Sequence, residues 1–306
     1  MKFPRWHLPA FPRLKYKQEG VLTFIDYKRK RFLALYWVML IFLIICLIVS
    51  LFPLIWLFIS AFKSTAELNS NVFHFWPENF NIGKIIDVWQ ATNMGIYFVN
   101  TIIVVLGAVI CAVLFNGLLA YGISVVKPAG SKFIYWLIMA SYMIPSVLSI
   151  VPLFSMIVNL KLINTFIPLW FCFGANCFYF VNFKNYFDKI PTELVEAMRV
   201  DGGGDLTIFF RLILPISRPI IGIVAIFAVS ASWSDFLLPK LVLTQDNLYT
   251  IMVKLFSINA TMGTVEGYTP DMLLMALMIS TIPQIVLFMI FQRQIIGGGT
   301  DGSVKG

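Results

Sequence analysis

The stretch Glu193-Leu-Val-Glu-Ala-Met-Arg-Val-Asp-Gly-Gly-Gly-Asp205 is a charged, glycine-bearing interruption in a chain that is otherwise strongly apolar. It continues as Leu206-Thr-Ile-Phe-Phe-Arg-Leu-Ile-Leu-Pro215, and a further proline follows at Pro219. Long apolar runs lie before and after it. The stretch therefore marks a place where a chain built for lipid returns to water.

The first half of this interruption has the pattern of a short amphipathic helix. Thr192 is a suitable N-cap, and Glu193 lies where the helix dipole favours an anion. Ala197 and Met198 follow Leu194 at spacings of three and four residues, which places them on one face. We expect a short helix with one apolar side.

The second half predicts a tight turn and another short helix. Asp201-Gly-Gly-Gly204 permits backbone conformations closed to residues with a side chain, and Asp205 is placed to cap the next helix. Phe209, Leu212 and Ile213 give that helix an apolar face. Leu214-Pro215 is predicted to end it, because proline lacks the N–H donor and disfavours helix at the residue before it.

Composition places the whole chain in a membrane. Of its 306 residues, 59% are hydrophobic and only 12% are charged. Only helices or closed barrels satisfy every backbone group in lipid, and long apolar runs without alternation indicate helices. The fold class predicted is an all-α integral membrane protein. The six predicted spans are Leu33–Phe62, Ile96–Val125, Phe133–Leu160, Ile163–Phe187, Ser217–Val242 and Met272–Ile295.

The distribution of positive charge predicts the topology and the domains. The net charge of +8 is concentrated before the first span and in alternate loops, which indicates that these parts and both termini are cytoplasmic. A basic segment over residues 1–32 precedes a six-helix transmembrane domain over 33–296, in which the polar loop covers 188–216. A glycine-rich tail over 297–306 follows. We expect contact with membrane lipid and none with nucleic acid.

Residue types also exclude some chemistries. The four cysteines, Cys46, Cys111, Cys172 and Cys177, lie in apolar spans without metal-ligand spacing, and packing is the default for them. The two histidines are far apart, so we expect no metal site and no catalytic residue. No phosphate-binding GxxxxGK[ST] sequence is present. We expect no cofactor bound by this chain.

The polar loop resembles the cytoplasmic coupling loop of permeases in binding-protein-dependent ABC importers. That family carries Glu-Ala-Ala, two residues, Asp-Gly, and later Phe and Leu-Pro. The matching residues here are Glu196, Ala197, Asp201, Gly202, Phe209, Leu214 and Pro215. Met198 replaces the second alanine. Glu193 lies in the same short helix.

In further segments the chain is similar to the carbohydrate branch of these permeases, in particular to its maltose-type second membrane subunit. These segments follow the family order along the chain after residue 50. They include Ser60-Ala-Phe-Lys-Ser64, Trp76-Pro77, Ala120-Tyr121-Gly122, Met143-Ile144-Pro145, Leu162-Ile-Asn-Thr165 and Trp233-Ser-Asp-Phe-Leu-Leu-Pro239. Ser234 departs from the asparagine of the family.

The resemblance implies one passive half of an import pathway in a bacterial cytoplasmic membrane. It implies a second permease subunit, two ATPase subunits that use ATP and Mg²⁺, and an external solute-binding protein. The coupling loop would dock on an ATPase, with Glu196 free to pair with a basic residue there. A sugar or oligosaccharide is the implied substrate, with a polyol or a sugar phosphate as the alternative.

Polar and aromatic residues inside the spans are candidates for the translocation pathway. They are Asn100, Tyr142, Asn176, Trp233 and Asp235. Polar groups are costly to expose to lipid, but they also serve as contacts between helices. Asp235 leaves open a rival function, an ion-coupled secondary transporter. A membrane-bound enzyme would need clustered catalytic residues, which the sequence does not show.

Overall fold

The computed structural model describes residues 30–263 and 267–300, and it is helical without β-strands over these ranges. Most of the basic segment predicted over residues 1–32 and the end of the glycine-rich tail lie outside the described residues. The backbone of residues 297–300 belongs to the last helix. The helices are α1 Lys30–Ser60, α2 Thr65–Leu68, α3 Gly83–Ala91, α4 Met94–Tyr121, α5 Ser131–Tyr142, α6 Ile150–Asn159, α7 Ile167–Gly174, α8 Cys177–Phe187, α9 Thr192–Val200, α10 Asp205–Ile208, α11 Leu214–Ile216, α12 Arg218–Ser234, α13 Leu237–Val242, α14 Ile251–Thr261 and α15 Pro270–Thr300.

The chain divides into two compact units between Trp56 and Leu57, inside α1. In the first unit, most side chains of α1 from Leu33 onward are exposed on all sides of the helix. A helix that is apolar all round and exposed all round is stable only in an apolar solvent. The second unit carries all the sites discussed below.

Three of the described helical segments are long and apolar enough to cross a membrane, namely Leu33–Ser60, Met94–Val126 and Pro270–Gln292. The count rises to five if two bent pairs are each taken as one span. Ser131–Tyr142 and Val147–Asn159 meet at 96°, and Asp205–Ile216 and Arg218–Ser234 meet at 82°. The predicted count of six stays a prediction.

Besides the predicted third span, which bends at 96°, two further predicted spans are interrupted helices. The predicted fourth span, Ile163–Phe187, consists of α7 and α8 with a break at Ala175 and Asn176. The predicted fifth, Ser217–Val242, breaks at Asp235 and Phe236. Hydropathy alone cannot show such breaks, because residues on both sides of them are equally apolar.

Helix α4 is the centre of the second unit, and it contributes to each of three buried clusters. Tyr121 at its end packs with α8 and α12, Val104 with α6, α7 and α13, and Met94 at its start with α3, α14 and α15. Small residues along α4 allow the close approach that packs helices without a hydrophobic driving force. At Gly107, an added Cβ would lie 2.2 Å from Nε1 of Trp170.

Candidate functional site: the exposed loop between α8 and α12

The polar loop forms a helical hairpin composed of α9, a glycine turn and a second helical stretch over residues 205–216. We call residues 191–217 the coupling segment. Helix α9 begins at Thr192, with Pro191 in the cap position and no side-chain cap bond. The predicted N-cap, Thr192, is therefore one residue late, because the extended backbone of Pro191 already sets the entry to the helix.

The glycine turn is a Schellman motif that ends α9. The Gly202 N–H donates to the Arg199 carbonyl at 3.0 Å, and the Gly203 N–H donates to the Met198 carbonyl at 2.9 Å. Gly202 has φ +83°, in the left-handed region that favours glycine. A Cβ on Gly203 would lie 2.8 Å from the Met198 carbonyl oxygen. Two of the three glycines are therefore required, for two different reasons.

Gly204, and not Asp205, occupies the cap position of the second helix. Asp205 is its first residue, and its carboxylate accepts a hydrogen bond from the Arg199 guanidinium at 3.1 Å. The predicted cap is thus replaced by a salt bridge across the three glycines. This bridge joins the two halves of the hairpin, because its partners lie on opposite sides of the turn.

The second helix runs on past Pro215. Residues 209–213 form a wide π turn, and the Leu214 N–H donates to the Phe209 carbonyl five residues back. The predicted stop at Leu214-Pro215 is wrong by two residues, since this wide turn accommodates a ring that has no N–H to donate. The bend of 82° into α12 comes at Ser217, which is fully buried.

One face of the coupling segment is buried in the second unit. Val195 is almost fully buried, and Ile208, Phe209 and Ile213 are completely so. They pack with residues of α4 and α8, and the ring centroids of Phe209 and Tyr121 lie 5.5 Å apart. Phe209, a candidate for contact with an ATPase, therefore faces the membrane helices in this structure.

The other face is exposed and combines acidic with apolar side chains. The exposed candidates are Glu193, Glu196, Ala197, Asp201, Gly202 and Pro215, whereas Leu214 is half-buried. Val200 is 87% exposed and Leu206 is 66% exposed. Sequence analysis missed these two apolar residues, because a helical period does not reveal which side of a short helix faces water. Exposed apolar groups beside carboxylates are typical of a docking surface.

Each pathway candidate has its own contacts, and no described hydrogen bond joins any two of them. The Asn100 amide donates to the carbonyls of Asn247 and Tyr249, at 2.9 and 3.0 Å. Trp233 is buried, and its indole N–H donates to the Ser280 carbonyl at 3.2 Å. Both side chains therefore hold α4 or α12 against a neighbouring segment.

The other three candidates lie at interruptions in helices. Asn176 caps α8 through the N–H groups of Phe178 and Tyr179, and its own N–H donates to the Asn116 side chain. Tyr142 is the last residue of α5 and is exposed. Asp235 follows α12 at its break and is half-buried, and it forms no salt bridge with a described residue.

A network of hydrogen bonds and one salt bridge near the Met94 end of α4 was not predicted from the sequence. The Lys254 ammonium lies 3.1 Å from Oδ1 of Asp246, and Tyr97 donates to Oδ2 of Asp246 at 2.5 Å. Burial disfavours the ammonium, but the hydrogen bonds with Tyr97 and Asp246 outweigh it, and the pKa of Lys254 is raised. Residues 149 positions apart meet here, which no local pattern could predict.

Comparison with solved structures identifies the fold. The chain is similar in fold to a bacterial ABC transporter involved in the import of the acidic polysaccharide alginate, with a TM-score of 0.78 at 20% identity. The match covers 87% of this chain and 98% of that one. The chain therefore shares the fold of that transporter chain.

Sequence comparison then identifies the family. Residues 112–297 match the model of the inner membrane component of binding-protein-dependent transport systems. The diacetylchitobiose uptake system permease NgcG of Streptomyces coelicolor is 31% identical, over 86% of this chain and 87% of the relative. The arabinooligosaccharides permease AraQ of Halalkalibacterium halodurans is 30% identical, over 91% and 100%. The chain belongs to this family, as a multi-pass permease subunit and not an enzyme.

Proposed function

We propose that this permease forms half of the membrane pathway of an ATP-driven sugar importer and that its coupling segment docks on an ATPase. The observation that supports the proposal is that the coupling segment has one buried and one exposed face. Its buried face holds it to α4 and α8, and its exposed face offers carboxylates and apolar groups to a partner. A rigid segment held in this way converts motion of an ATPase into motion of membrane helices.

The partners follow from the architecture of such importers. A second permease completes the pathway, two ATPase subunits bind ATP and Mg²⁺, and an external solute-binding protein delivers the substrate. The positive charges support a cytoplasmic position for the coupling segment and for both termini. With Glu193, Glu196 and Asp201 exposed, the docking cleft of the ATPase should carry basic residues at its rim.

Sugars and oligosaccharides are the substrates we favour. The similar permeases are named for uptake of diacetylchitobiose, of arabinooligosaccharides, and of melibiose, raffinose and stachyose. These ligands share hydroxyl-rich, uncharged rings. Uptake of labelled oligosaccharides by cells with and without the gene tests this proposal, with a polyol and a sugar phosphate as the competing substrates.

Docking is tested by purifying the tagged chain together with its partners. The amount of ATPase that co-purifies is compared between the wild type and Gly202→Arg. The matched control is Gly263→Arg, since Gly263 also has positive φ, +79°, and also has open space around it. Both variants carry the same backbone strain and the same added side chain. We expect Gly202→Arg to lose the ATPase and Gly263→Arg to retain it. Equal retention by both variants would contradict docking through the coupling segment.

A wild-type chain that purifies alone and takes up solute without ATP would instead support the rival secondary transporter. In that case Asp235→Asn should abolish uptake, because an ion-coupled transporter needs a titratable or charged group in its pathway. If the chain is instead a subunit of the importer, uptake by the wild type, which retains Asp235, must stop when ATP is withdrawn.

A further inference from the structure

A basic pocket of about 370 Å³ lies between the end of α4, the start of α5 and the end of α8. Its polar lining consists of Lys127, Ser131, Lys132, Tyr135, Lys184 and Asp188. Three lysines and one aspartate leave it a net charge of +2. None of these residues belongs to the exposed face of the coupling segment.

One cation of the pocket is held in place by its neighbours. The Lys184 ammonium lies 2.6 Å from Oδ2 of Asp188 and 4.9 Å from the ring centroid of Tyr135. Partial burial works against the Asp188 carboxylate, but the neighbouring groups together outweigh it, first among them the hydrogen bond from Lys184, and the pKa of Asp188 is lowered. Asp188 is therefore a carboxylate at neutral pH.

The other two cations, Lys127 and Lys132, are exposed and form no salt bridge with a described residue. The charge of Lys127 nevertheless contributes to the lowered pKa of Asp188. Lys127 has φ +51°, so the chain turns sharply there before it enters α5. This turn brings Lys127 and Lys132, five positions apart, to the same pocket.

The first turn of α5 adds donors to the pocket. Its cap residue, Gly130, has φ +88° and no side chain to accept a hydrogen bond. Among the described backbone bonds, Ser131 and Ile134 donate, but the N–H groups of Lys132 and Phe133 do not. A helix of twelve residues presents partial positive charge at this end, which favours an anion.

The outer side of α5 is suited to acyl chains. Phe133 is 72% exposed, Trp136 is 69% exposed and Leu137 is 61% exposed. They begin directly beside the pocket and continue into the apolar helix. Aromatic side chains between a charged region and an apolar helix are typical of the boundary between headgroups and hydrocarbon. A ligand with an anionic head and apolar tails fits both features, whereas a free anion fits only the pocket.

We propose that this pocket binds the phosphodiester headgroup of an anionic phospholipid of the inner leaflet. Basic pockets between membrane helices on the cytoplasmic side are suited to such headgroups. The proposal depends on the predicted topology, which puts Lys127 and Lys132 on the cytoplasmic side. It does not depend on the transported substrate or on docking of the ATPase.

The test is lipid binding by the purified transporter after removal of its native lipid. Phosphatidylglycerol is titrated onto the complex in mild detergent, and bound lipid is counted by native mass spectrometry. Phosphatidylcholine and inorganic phosphate are titrated in parallel. We expect phosphatidylglycerol to bind at least tenfold more tightly than either, and 0.5 M salt to weaken it, since exposed charges are screened.

Variants separate the pocket from general surface charge. The double variant Lys127→Gln, Lys132→Gln should weaken phosphatidylglycerol binding at least tenfold, since it removes two cations that attract the anionic headgroup. Lys189→Gln is the matched control, because Lys189 is exposed, lies next to Asp188 and does not line the pocket. It should change binding less than twofold. Asp188→Asn removes the anion and should tighten binding several-fold.

Three outcomes would overturn the proposal. They are equal binding by the double variant and the wild type, equal losses in Lys189→Gln and the double variant, and inorganic phosphate binding as tightly as phosphatidylglycerol. The last would assign the pocket to a free anion. If the double variant fails to fold, Lys132→Gln alone must still weaken binding while Asp188→Asn tightens it.

Discussion

Phe209 and Phe210 are neighbours in the chain with opposite surroundings. Phe209 is completely buried between α4 and the coupling segment, whereas Phe210 is 49% exposed. The Cζ atom of Phe209 would lie 3.6 Å from a Cβ placed on Gly117 of α4. In the proposed importer, Phe209 joins the coupling segment to a membrane helix, and the ATPase contacts other residues.

Phe209→Ala should destabilise the chain by about 3 kcal/mol or more, because it leaves a cavity at the base of the coupling segment. Phe210→Ala, the adjacent and exposed control, should change stability by less than about 1 kcal/mol. Thermal unfolding of the purified transporter in detergent measures both. Equal effects of the two substitutions would contradict the packing described for Phe209.

The three consecutive glycines of the turn should respond differently to alanine. Gly204→Ala should be nearly neutral, since its φ is ordinary and the space is open. Gly202→Ala should cost about 1 kcal/mol, because its φ is positive. Gly203→Ala should cost more, because its Cβ meets the Met198 carbonyl. Melting temperatures of the three variants give this order, and a loss that is largest for Gly204→Ala would refute the turn geometry.

Helix α4 owes its central place to small residues that let its neighbours come close. The tightest approach is at Gly107, where three atoms of the Trp170 indole lie within 2.4 Å of an added Cβ. Helix α7, which is only eight residues long, is therefore fixed in position by a contact of its tryptophan with backbone. The break after α7 is held by Asn116 of α4 through the Asn176 N–H and the Phe173 carbonyl.

Gly107→Ala should destabilise the chain by about 1 to 3 kcal/mol, because the core cannot admit the extra methyl group without moving Trp170. Gly95→Ala in the same helix is the control. Its added Cβ would make only ordinary contact, at 3.8 Å from Trp89. Thermal unfolding should also show partial rescue by Trp170→Phe in the Gly107→Ala background. No difference between the two glycine variants would contradict this packing.

Across the whole molecule, a polar network ties α4 to the segment that precedes α15. Tyr97, Asp246 and Lys254 form one group, and Asn100 and Thr101 bind backbone of the same segment. The coupling segment lies near the Tyr121 end of α4, and this network lies near its Met94 end. Helix α4 is therefore in contact with both the coupling segment and this network.

Asp246→Asn should destabilise the chain by about 1 to 3 kcal/mol, because it leaves the Lys254 ammonium buried without its anion. Lys254→Met should restore part of this loss in the double variant. Since the pKa of Lys254 is raised, its contribution is fully present below the ordinary lysine pKa and is lost only at higher pH. The loss measured for Asp246→Asn by thermal unfolding should thus be the same at pH 6 and pH 9. A loss that disappears at pH 9 would contradict a charged Lys254.

Some of this molecule could be predicted from the sequence because the signals are local. The apolar composition indicated a membrane protein, and long apolar runs in a membrane must form helices. The family was indicated by the order of Glu196-Ala197, Asp201-Gly202 and Leu214-Pro215. The helix, turn and helix of the coupling segment follow from local backbone preferences. Errors of one or two residues at Thr192 and Pro215 arose because a flanking residue or a π turn shifts a helix end.

Tertiary structure alone decided which face of each element is buried and which distant residues meet. Phe209 and Val200 are both apolar, and only packing against α4 buries the first and leaves the second exposed. The break at Asn176 depends on its contact with Asn116 and not on hydropathy. Likewise, Lys127, Lys132 and Lys184 share a pocket because the chain folds back between α5 and α8. Local preferences act over a few residues, whereas burial and charge pairing depend on the whole fold.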